Sequence, residues 1–145
     1  MFIYYIKVPI QLFGLKMNIA IVGFGKMGHE IERIARAKGI NIISIIDPNS
    51  SSANYREIDE GALHNVDVCI EFTAPGSVVE NIKKISKLKK NIVVGTTGWH
   101  NNLEEVRNIV NHSGIGFIYA SNFSIGVNIF FRIIENAAKI INKID

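Results

Sequence analysis

The sequence predicts an α/β protein built on a doubly wound, Rossmann-like parallel sheet. Three observations carry that expectation. Short apolar runs alternate with segments whose apolar residues recur at helical spacing. The connections between them are short. The first run, NIAIV, is followed at once by GFGKMG, a glycine turn that opens a helix. Strands alternating with helices lie parallel in one sheet, and their crossovers are right-handed.

Each element has its own warrant. Asn18 to Val22 is a buried strand that stops at Gly23. From Met27 to Lys38, Met27, Ile31, Ile34 and Ala35 form one helical face, and Gly39 ends it. Ile40 to Ile46 is the second strand, closed by Asp47-Pro48. Asn49 to Val66 is polar and rich in Ser and Asn, with at most a short helix near Ile58 to Leu63. Asp67 to Phe72 is the third strand. Pro75 and Gly76 then break the pattern, and Ser77 stands as N-cap of a helix carrying Val78, Val79, Ile82, Ile85 and Leu88. Asn91 to Val94 is the fourth strand, ended by Gly95. Asn102 with Glu105 three residues on reads as a capping box before Leu103, Val106 and Val110. Ile115 to Tyr119 is the fifth strand. Ser124 to Ile144 is the last helix, and its apolar band is too wide for a helix that covers only one sheet face. No internal repeat divides the chain, so residues 17–145 are expected to form one dinucleotide-binding domain.

Composition narrows the function classes. The 145 residues are 48% hydrophobic and 20% charged, enough for one domain with a real core. The net charge is +3. Nine of the sixteen basic residues fall between Lys83 and the C-terminus, and Lys83, Lys84, Lys87, Lys89 and Lys90 share one helix without interleaved aromatics. That is a solvated helix face, so no nucleic-acid partner is expected. Cys69 is the only cysteine, which fits a reducing cytoplasm, and it reads as a buried core thiol. The four histidines have no metal-ligand spacing. No apolar run approaches the roughly 20 residues of a membrane span, so no membrane partner is expected. The segment 1–16 has no charged leader or cleavage site. It reads as an extension outside the fold, with Met17 as the working start.

Ligands of a doubly wound sheet bind beyond the carboxyl ends of its strands. Gly23 permits the tight turn there, Gly25 lets the backbone approach a pyrophosphate, and Gly28 lets the helix pack close to the strand. The helix start then supplies free N–H groups and partial positive charge for phosphates. Asp47, at the end of the next strand, is placed to accept hydrogen bonds from the adenosine ribose hydroxyls and to repel a 2′-phosphate. Pro48 and Asn49 follow it rather than an arginine, which favours NADH, with NADPH as the alternative and Lys26 as a cation that would soften the preference. Thr73, Thr96, Thr97 and Asn122 offer small donors and acceptors where the nicotinamide ribose and carboxamide would lie. Trp99 reads as a packing residue, and Glu71, within a strand, has no catalytic role.

The ordered set GFGKMG, EFTAPGS, VVGTTGW and YASNFSIGVN resembles the cofactor domain of 4-hydroxy-tetrahydrodipicolinate reductase (dihydrodipicolinate reductase), from Met17 to the chain end. That family uses NADH or NADPH to reduce a cyclic intermediate on the diaminopimelate route to lysine. The resemblance implies that Gly23, Phe24, Gly25, Lys26, Met27 and Gly28 bind the pyrophosphate and Asp47 the adenosine ribose. It places Phe72 and Thr73 beside the dinucleotide, Gly95, Thr96 and Thr97 near the nicotinamide ribose, and Ala120, Ser121, Asn122 and Phe123 at the nicotinamide end. In the family a second, α+β substrate domain follows. It carries a His-His pair, a Lys, a Ser-Gly-Thr loop and the homotetramer contacts. This sequence holds no His-His pair and no Ser-Gly-Thr. The expectation is a chain truncated before that domain, which binds cofactor, has no catalytic residue of its own and is inactive alone on the family's small-molecule substrate. Two other readings stand beside it: a stand-alone nucleotide-binding or redox-sensing module, and another dehydrogenase such as an aspartate or homoserine dehydrogenase.

Overall fold

The computed structural model describes residues 17–142. The segment 1–16, expected to be an extension, lies outside the described residues. Five strands form one parallel sheet: β1 (Asn18–Val22), β2 (Asn41–Ile46), β3 (Val68–Glu71), β4 (Asn91–Val94) and β5 (Phe117–Tyr119). Their order is β2-β1-β3-β4-β5. The chain therefore winds one way from β1 to β2 and the other way from β3 to β5. The carboxyl ends of β1 and β3 form the switch point, where such sheets bind ligands.

Four α-helices connect and extend the strands: α1 (Lys26–Ala37), α2 (Val78–Lys87), α3 (Leu103–Ser113) and α4 (Ile125–Ile141). The first three are amphipathic; α2 and α3 bury their apolar stripes, whereas α1 buries only Gly28 and Ala35 and leaves Met27 and Ile34 of its expected face exposed. Val78, Ile82 and Ile85 of α2 and Val106 and Val110 of α3 join Ala20, Val22, Cys69, Ile92 and Val94 in one core beneath the sheet. On the opposite face Ile19, Ile21, Phe24, Ala35 and Ile45 form a smaller core under α1. Cys69 is fully buried, and burial pushes its thiol up to about 12, as befits a packing residue rather than a nucleophile. Of the lysine-rich stretch, Lys83, Lys84 and Lys87 lie on α2, where Lys83 pairs with Glu80 and with Glu105 of α3, but Lys89 and Lys90 fall past its end, Lys89 at positive φ, rather than on the one helix expected.

The structure departs from the sequence expectation at two helix caps and at the ends of β2, β3 and β5, each one or two residues shorter than expected, and it settles two further points. No helix forms between 58 and 63. Turns do the work there, with the Asp59 carboxylate accepting from the Ala62 amide at 2.7 Å while Ile58, Ala62 and Leu63 bury into the core. Ser77 occupies the N-cap position of α2 but does not cap it. Its hydroxyl donates instead to the Ala74 carbonyl (3.1 Å) and the Thr73 hydroxyl (3.2 Å). The capping box at Asn102 is not closed either. A 3₁₀ turn, His100–Asn102, engages the Asn102 amide with the Trp99 carbonyl, so the Asn102 amide group donates sideways to Glu105. Ser124 does cap α4, its hydroxyl accepting from the Val127 amide.

The last point concerns α4, whose apolar band is expected to be too wide for one sheet face. The wide apolar band of α4 covers no core at all: none of its residues is buried. Ile125, Ile129, Phe130, Phe131, Ile133, Ile134, Ile140 and Ile141 are all about half exposed or more. The sheet face on α1's side is also only half-covered at Ile70, Val93 and Ile118, whereas the alternating residues of β3 and β4 on the other face are buried.

The switch point fixes a stability prediction. Gly23 has φ +91°, and a Cβ there would lie 2.1 Å from the Phe72 carbonyl oxygen. Gly114 also has positive φ (+70°) but faces open space. Gly114→Ala should therefore cost about 1 kcal/mol, from the left-handed backbone alone. Gly23→Ala, adding a backbone clash, should cost about 3 kcal/mol or more. Denaturant unfolding of the two variants measures both; equal costs would mean that the β1–β3 approach is looser than the geometry requires.

Candidate cofactor site

The carboxyl ends of β1, β2, β3 and β4 meet in a continuous crevice. The Gly23 amide donates to the Ile46 carbonyl at 2.9 Å, the Phe72 amide to Val22 at 2.8 Å and the Gly95 amide to Glu71 at 2.9 Å. The sheet ladder thus continues one residue past each strand before the loops diverge. Two hollows of about 450 and 440 Å³ open above this edge. They share Gly25, Phe72 and Thr73. One extends toward Asp47; the other is walled by Lys26, Met27, Gly95, Thr96 and Thr97.

Gly23 and Gly28 fill the packing roles their spacing predicts. A Cβ on Gly28 would lie 2.4 Å from the Gly23 carbonyl oxygen, so only glycine lets α1 start this close to β1. Gly25 is the N-cap of α1 and meets nothing within 4 Å, so its backbone is open to the crevice. It offers no side chain to the first amides of α1. The first turn contains no acidic residue, and Lys26 stands at its first position. A cation at a helix start opposes the macrodipole, and uncapped amides lack partners. Both local costs are relieved by an anion above the loop.

Asp47 is tied down more thoroughly than the sequence implies. Its Oδ2 accepts from the Phe24 amide at 2.7 Å, and its Oδ1 accepts from the amides of Asn49 (2.8 Å) and Ser50 (3.2 Å). Burial raises its pKa, but these three amides and the nearby Arg56 outweigh that effect and hold the carboxyl below its ordinary value. Asp47 is thus ionised and couples the β2 loop to the glycine loop. A carboxylate has about four lone-pair positions, so little acceptor capacity remains for a ribose.

Thr73, Thr96 and Glu71 form a second knot. The Thr73 amide donates to the Thr96 hydroxyl at 2.7 Å, which joins the TAPG and GTTG loops. Glu71 lies beneath them, fully buried. Its Oε1 accepts from the Thr73 hydroxyl and from the Asn81 amide group, while Oε2 makes no hydrogen bond of good geometry among the described residues. Burial pushes its carboxyl above the ordinary range, against the pull of the Thr73, Thr96 and Asn81 side chains. Trp99 is buried, and its Nε1–H donates to the Thr96 carbonyl at 2.7 Å. It packs edge-on against Tyr119 and Phe117, which is the packing role expected of it.

The remaining expected residues lie at the far end. Phe72 is half-buried, and its ring occupies the space where a Gly95 Cβ would be, 2.0 Å away. Phe123, 46% exposed, tilts toward it with centroids 6.4 Å apart. Ala120 is buried and Ser121 is exposed. The Asn122 side-chain oxygen accepts from the Ser124 amide at 2.7 Å, which leads the chain into α4. The structure therefore gathers the glycine loop, Asp47, Phe72, Thr73, Gly95, Thr96 and Thr97 on one edge and sets Ala120 to Phe123 beside them.

Sequence reasoning missed Arg56, Lys84, Ser77 and Asn81, which line the hollow beside Asp47. Ser77 and Asn81 were legible as polar positions early in α2. Arg56 had no signal. It arrives because residues 53–55 double back along β2: the Tyr55 amide donates to Ile45 and the Asp47 amide to Tyr55, both at 3.1 Å. Among the described residues no helix is long and apolar enough to cross a membrane. No group of three or more His, Cys, Asp or Glu among them could hold a metal ion.

Residues 17–123 match the family described as dihydrodipicolinate reductase, N-terminus. A 4-hydroxy-tetrahydrodipicolinate reductase of Christiangramia forsetii is 35% identical over 122 residues, which span 84% of this chain and 48% of that protein. One from Methanococcus aeolicus is 44% identical over 113 residues, spanning 74% of this chain and 41% of that protein. The chain thus spans less than half the length of these relatives. In structure, a dipicolinate-bound dihydrodipicolinate reductase from Paenisporosarcina sp. TG-14 superposes with a TM-score of 0.63 at 24% identity, covering 77% of this chain and 49% of that one. That likeness is of fold.

The buried acid sets the pH prediction. Because the folded state raises the pKa of Glu71, its contribution to stability is full below the unfolded value, about 4.3, and is lost as pH rises through the folded value. Glu71→Gln keeps the hydrogen-bonding shape without the charge. Its stability relative to the parent chain should rise as pH is taken from 4 to 8, as measured by urea unfolding. A difference that is flat with pH would mean that Glu71 does not titrate in this range.

Proposed function

The chain belongs to the dihydrodipicolinate reductase N-terminal family, and from that premise we propose that it binds a reduced nicotinamide dinucleotide for a 4-hydroxy-tetrahydrodipicolinate reductase. The observation that carries the reading is the start of α1. It is uncapped, has no acid in its first turn and bears Lys26, and it opens on the crevice at the β1–β3 switch point. The pyrophosphate would sit on the amides that follow Gly25, with Lys26 beside it. Asp47 retains one lone-pair region on Oδ2 for a ribose hydroxyl, the feature that favours NADH. Thr73, Thr96 and Thr97 would hold the second ribose, and Ala120 to Phe123 the nicotinamide. The cofactor supplies hydride; the chain's residues bind and orient it, and the Phe72 and Phe123 rings shield one side from water.

The reading extends to what the chain does not do by itself. The titratable groups of the crevice, Asp47, Glu57, Arg56, Lys84 and Lys26, line the hollow beside Asp47 and the glycine loop, and Ala120 to Phe123, at the end that would hold the nicotinamide, carry no titratable side chain to serve as proton donor. Reduction of the family's cyclic substrate requires one. The exposed α4 supports a chain that works with a further partner or domain rather than a stand-alone sensing module, since large uncovered apolar patches mark interaction surfaces. Burying each of its isoleucines and phenylalanines is worth about 1.5–3 kcal/mol.

Titrating the purified chain with NADH, followed by nucleotide fluorescence, tests the binding half. Saturable binding is expected, and Lys26→Glu should weaken it about tenfold or more by reversing the charge beside the phosphates. Failure to saturate overturns the reading. Assayed alone with NADH and 4-hydroxy-tetrahydrodipicolinate, the chain should show no turnover; measurable reduction would overturn the second half.

A further inference from the structure

We infer that Glu71 is a positioning residue for the cofactor: acting through Thr73, it sets the spacing of the TAPG and GTTG loops and so the grip on the nicotinamide half of the dinucleotide. This rests on the dinucleotide reading above and deepens it. Glu71 is the last residue of β3, is fully buried and lines neither hollow. Its neighbours in register on β1 and β4 are Val22 and Val94, both buried. Packing alone would be served by a third apolar residue there, and a buried carboxyl costs stability unless its bonds repay it.

Those bonds all lead to the roots of the two loops. The Glu71 carbonyl accepts from the Gly95 amide at 2.9 Å, at the start of GTTG. Its Oε1 accepts from the Thr73 hydroxyl, at the start of TAPG, and from the Asn81 side-chain amide at 3.2 Å. Asn81 and Ser77 of the α2 start donate in turn to the Thr73 hydroxyl oxygen, each at 3.2 Å. With its hydroxyl held beneath the sheet edge, Thr73 turns its amide to the Thr96 hydroxyl at 2.7 Å, which bridges the loops. Thr73 borders both hollows, and Thr96 walls the one assigned to the nicotinamide side. The glycine loop and Asp47 are tied separately, through the Phe24 amide. Releasing Thr73 therefore loosens the nicotinamide side and leaves the adenosine side in place. Oε1 only accepts in these contacts, and burial favours the neutral acid. Holding Thr73 thus requires an acceptor of this reach rather than a charge, which glutamine supplies and alanine does not.

The test sets NADH against ADP, which carries the adenosine and pyrophosphate half alone, on the parent chain and on Glu71→Gln, Glu71→Ala and Asn81→Ala. Glu71→Gln should bind both ligands within about threefold of the parent. Glu71→Ala should bind NADH about tenfold or more weaker and ADP within about threefold, the retained ADP binding showing that the variant is folded. Asn81→Ala, which removes one donor from the same knot and serves where Glu71→Ala does not fold, should lower the ratio of NADH to ADP affinity by about threefold. If the alanine variants weaken both ligands equally or leave the ratio unchanged, Glu71 only braces the fold; the inference falls and the dinucleotide reading stands. If Glu71→Gln loses NADH as Glu71→Ala does, a neutral acceptor does not hold the loops, and the inference falls likewise. If the parent binds neither ligand, both fall.

Discussion

The site depends on one close approach: the backbone of Gly23 against that of Phe72. β1 and β3 are neighbours whose chains leave in opposite directions, so their first loop residues meet at the centre of the sheet. A Cβ at Gly23 would sit 2.1 Å from the Phe72 carbonyl oxygen, and one at Gly95 would sit 2.0 Å from the Phe72 ring. Phe72 thus fills the space that two glycines vacate, its carbonyl over one and its ring over the other. Both hollows of the crevice are bounded by this residue and by Gly25 and Thr73. Widening the approach would displace the start of α1 and the GTTG loop together, and with them the walls that would hold the two ends of a dinucleotide.

The sequence was most legible where a single local force decided the outcome. NIAIV gave β1 with its bounds intact, because a run of four buried apolar residues after Asn18 has no competing reading before a glycine at positive φ. The stripe Val78, Ile82 and Ile85 found its core for the same reason. Legibility failed where two hydrogen-bond partners competed. Ser77 was offered the α2 amides and took Ala74 and Thr73; Asn102 was offered the α3 amides and was drawn into a 3₁₀ turn. Arg56 failed differently. Its place is set by nine residues of chain folding back on β2, and no periodicity or turn signal in PNSSSANYR encodes that return.

Two carboxylates on the same sheet edge show how little a residue type says without its partners. Asp47 ends β2 in reach of three amides and an arginine, and its pKa falls. Glu71 ends β3 beneath the loops, burial dominates, and its pKa rises. Read from sequence, Asp47 is the ribose acid and Glu71 a strand residue, open to burial and pairing, without a catalytic role. In the fold both are joints. Asp47 ties the β2 loop to the glycine loop, and Glu71 ties Thr73 to α2 through Asn81. A ligand-reading acid and a loop-bracing acid use the same lone pairs, so how many amides an acid already serves bears directly on its selectivity.

The same accounting applies to the chain as a whole. A reductase must hold its cofactor, hold its substrate and deliver a proton. The edge described here has the donors, glycines and cations suited to the first task, and its only buried acid faces away from the hollows, under the loops. What it has in excess is uncovered apolar surface along the length of α4; the sheet residues Ile70, Val93 and Ile118 are partly buried. α4 begins two residues after Phe123, at the end of the crevice assigned to the nicotinamide. Any body that covers α4 is thereby brought to the face where hydride would leave. The relatives are more than twice as long as the stretch they share with this chain, and the exposed helix is an apolar surface against which a further body could pack beside that edge.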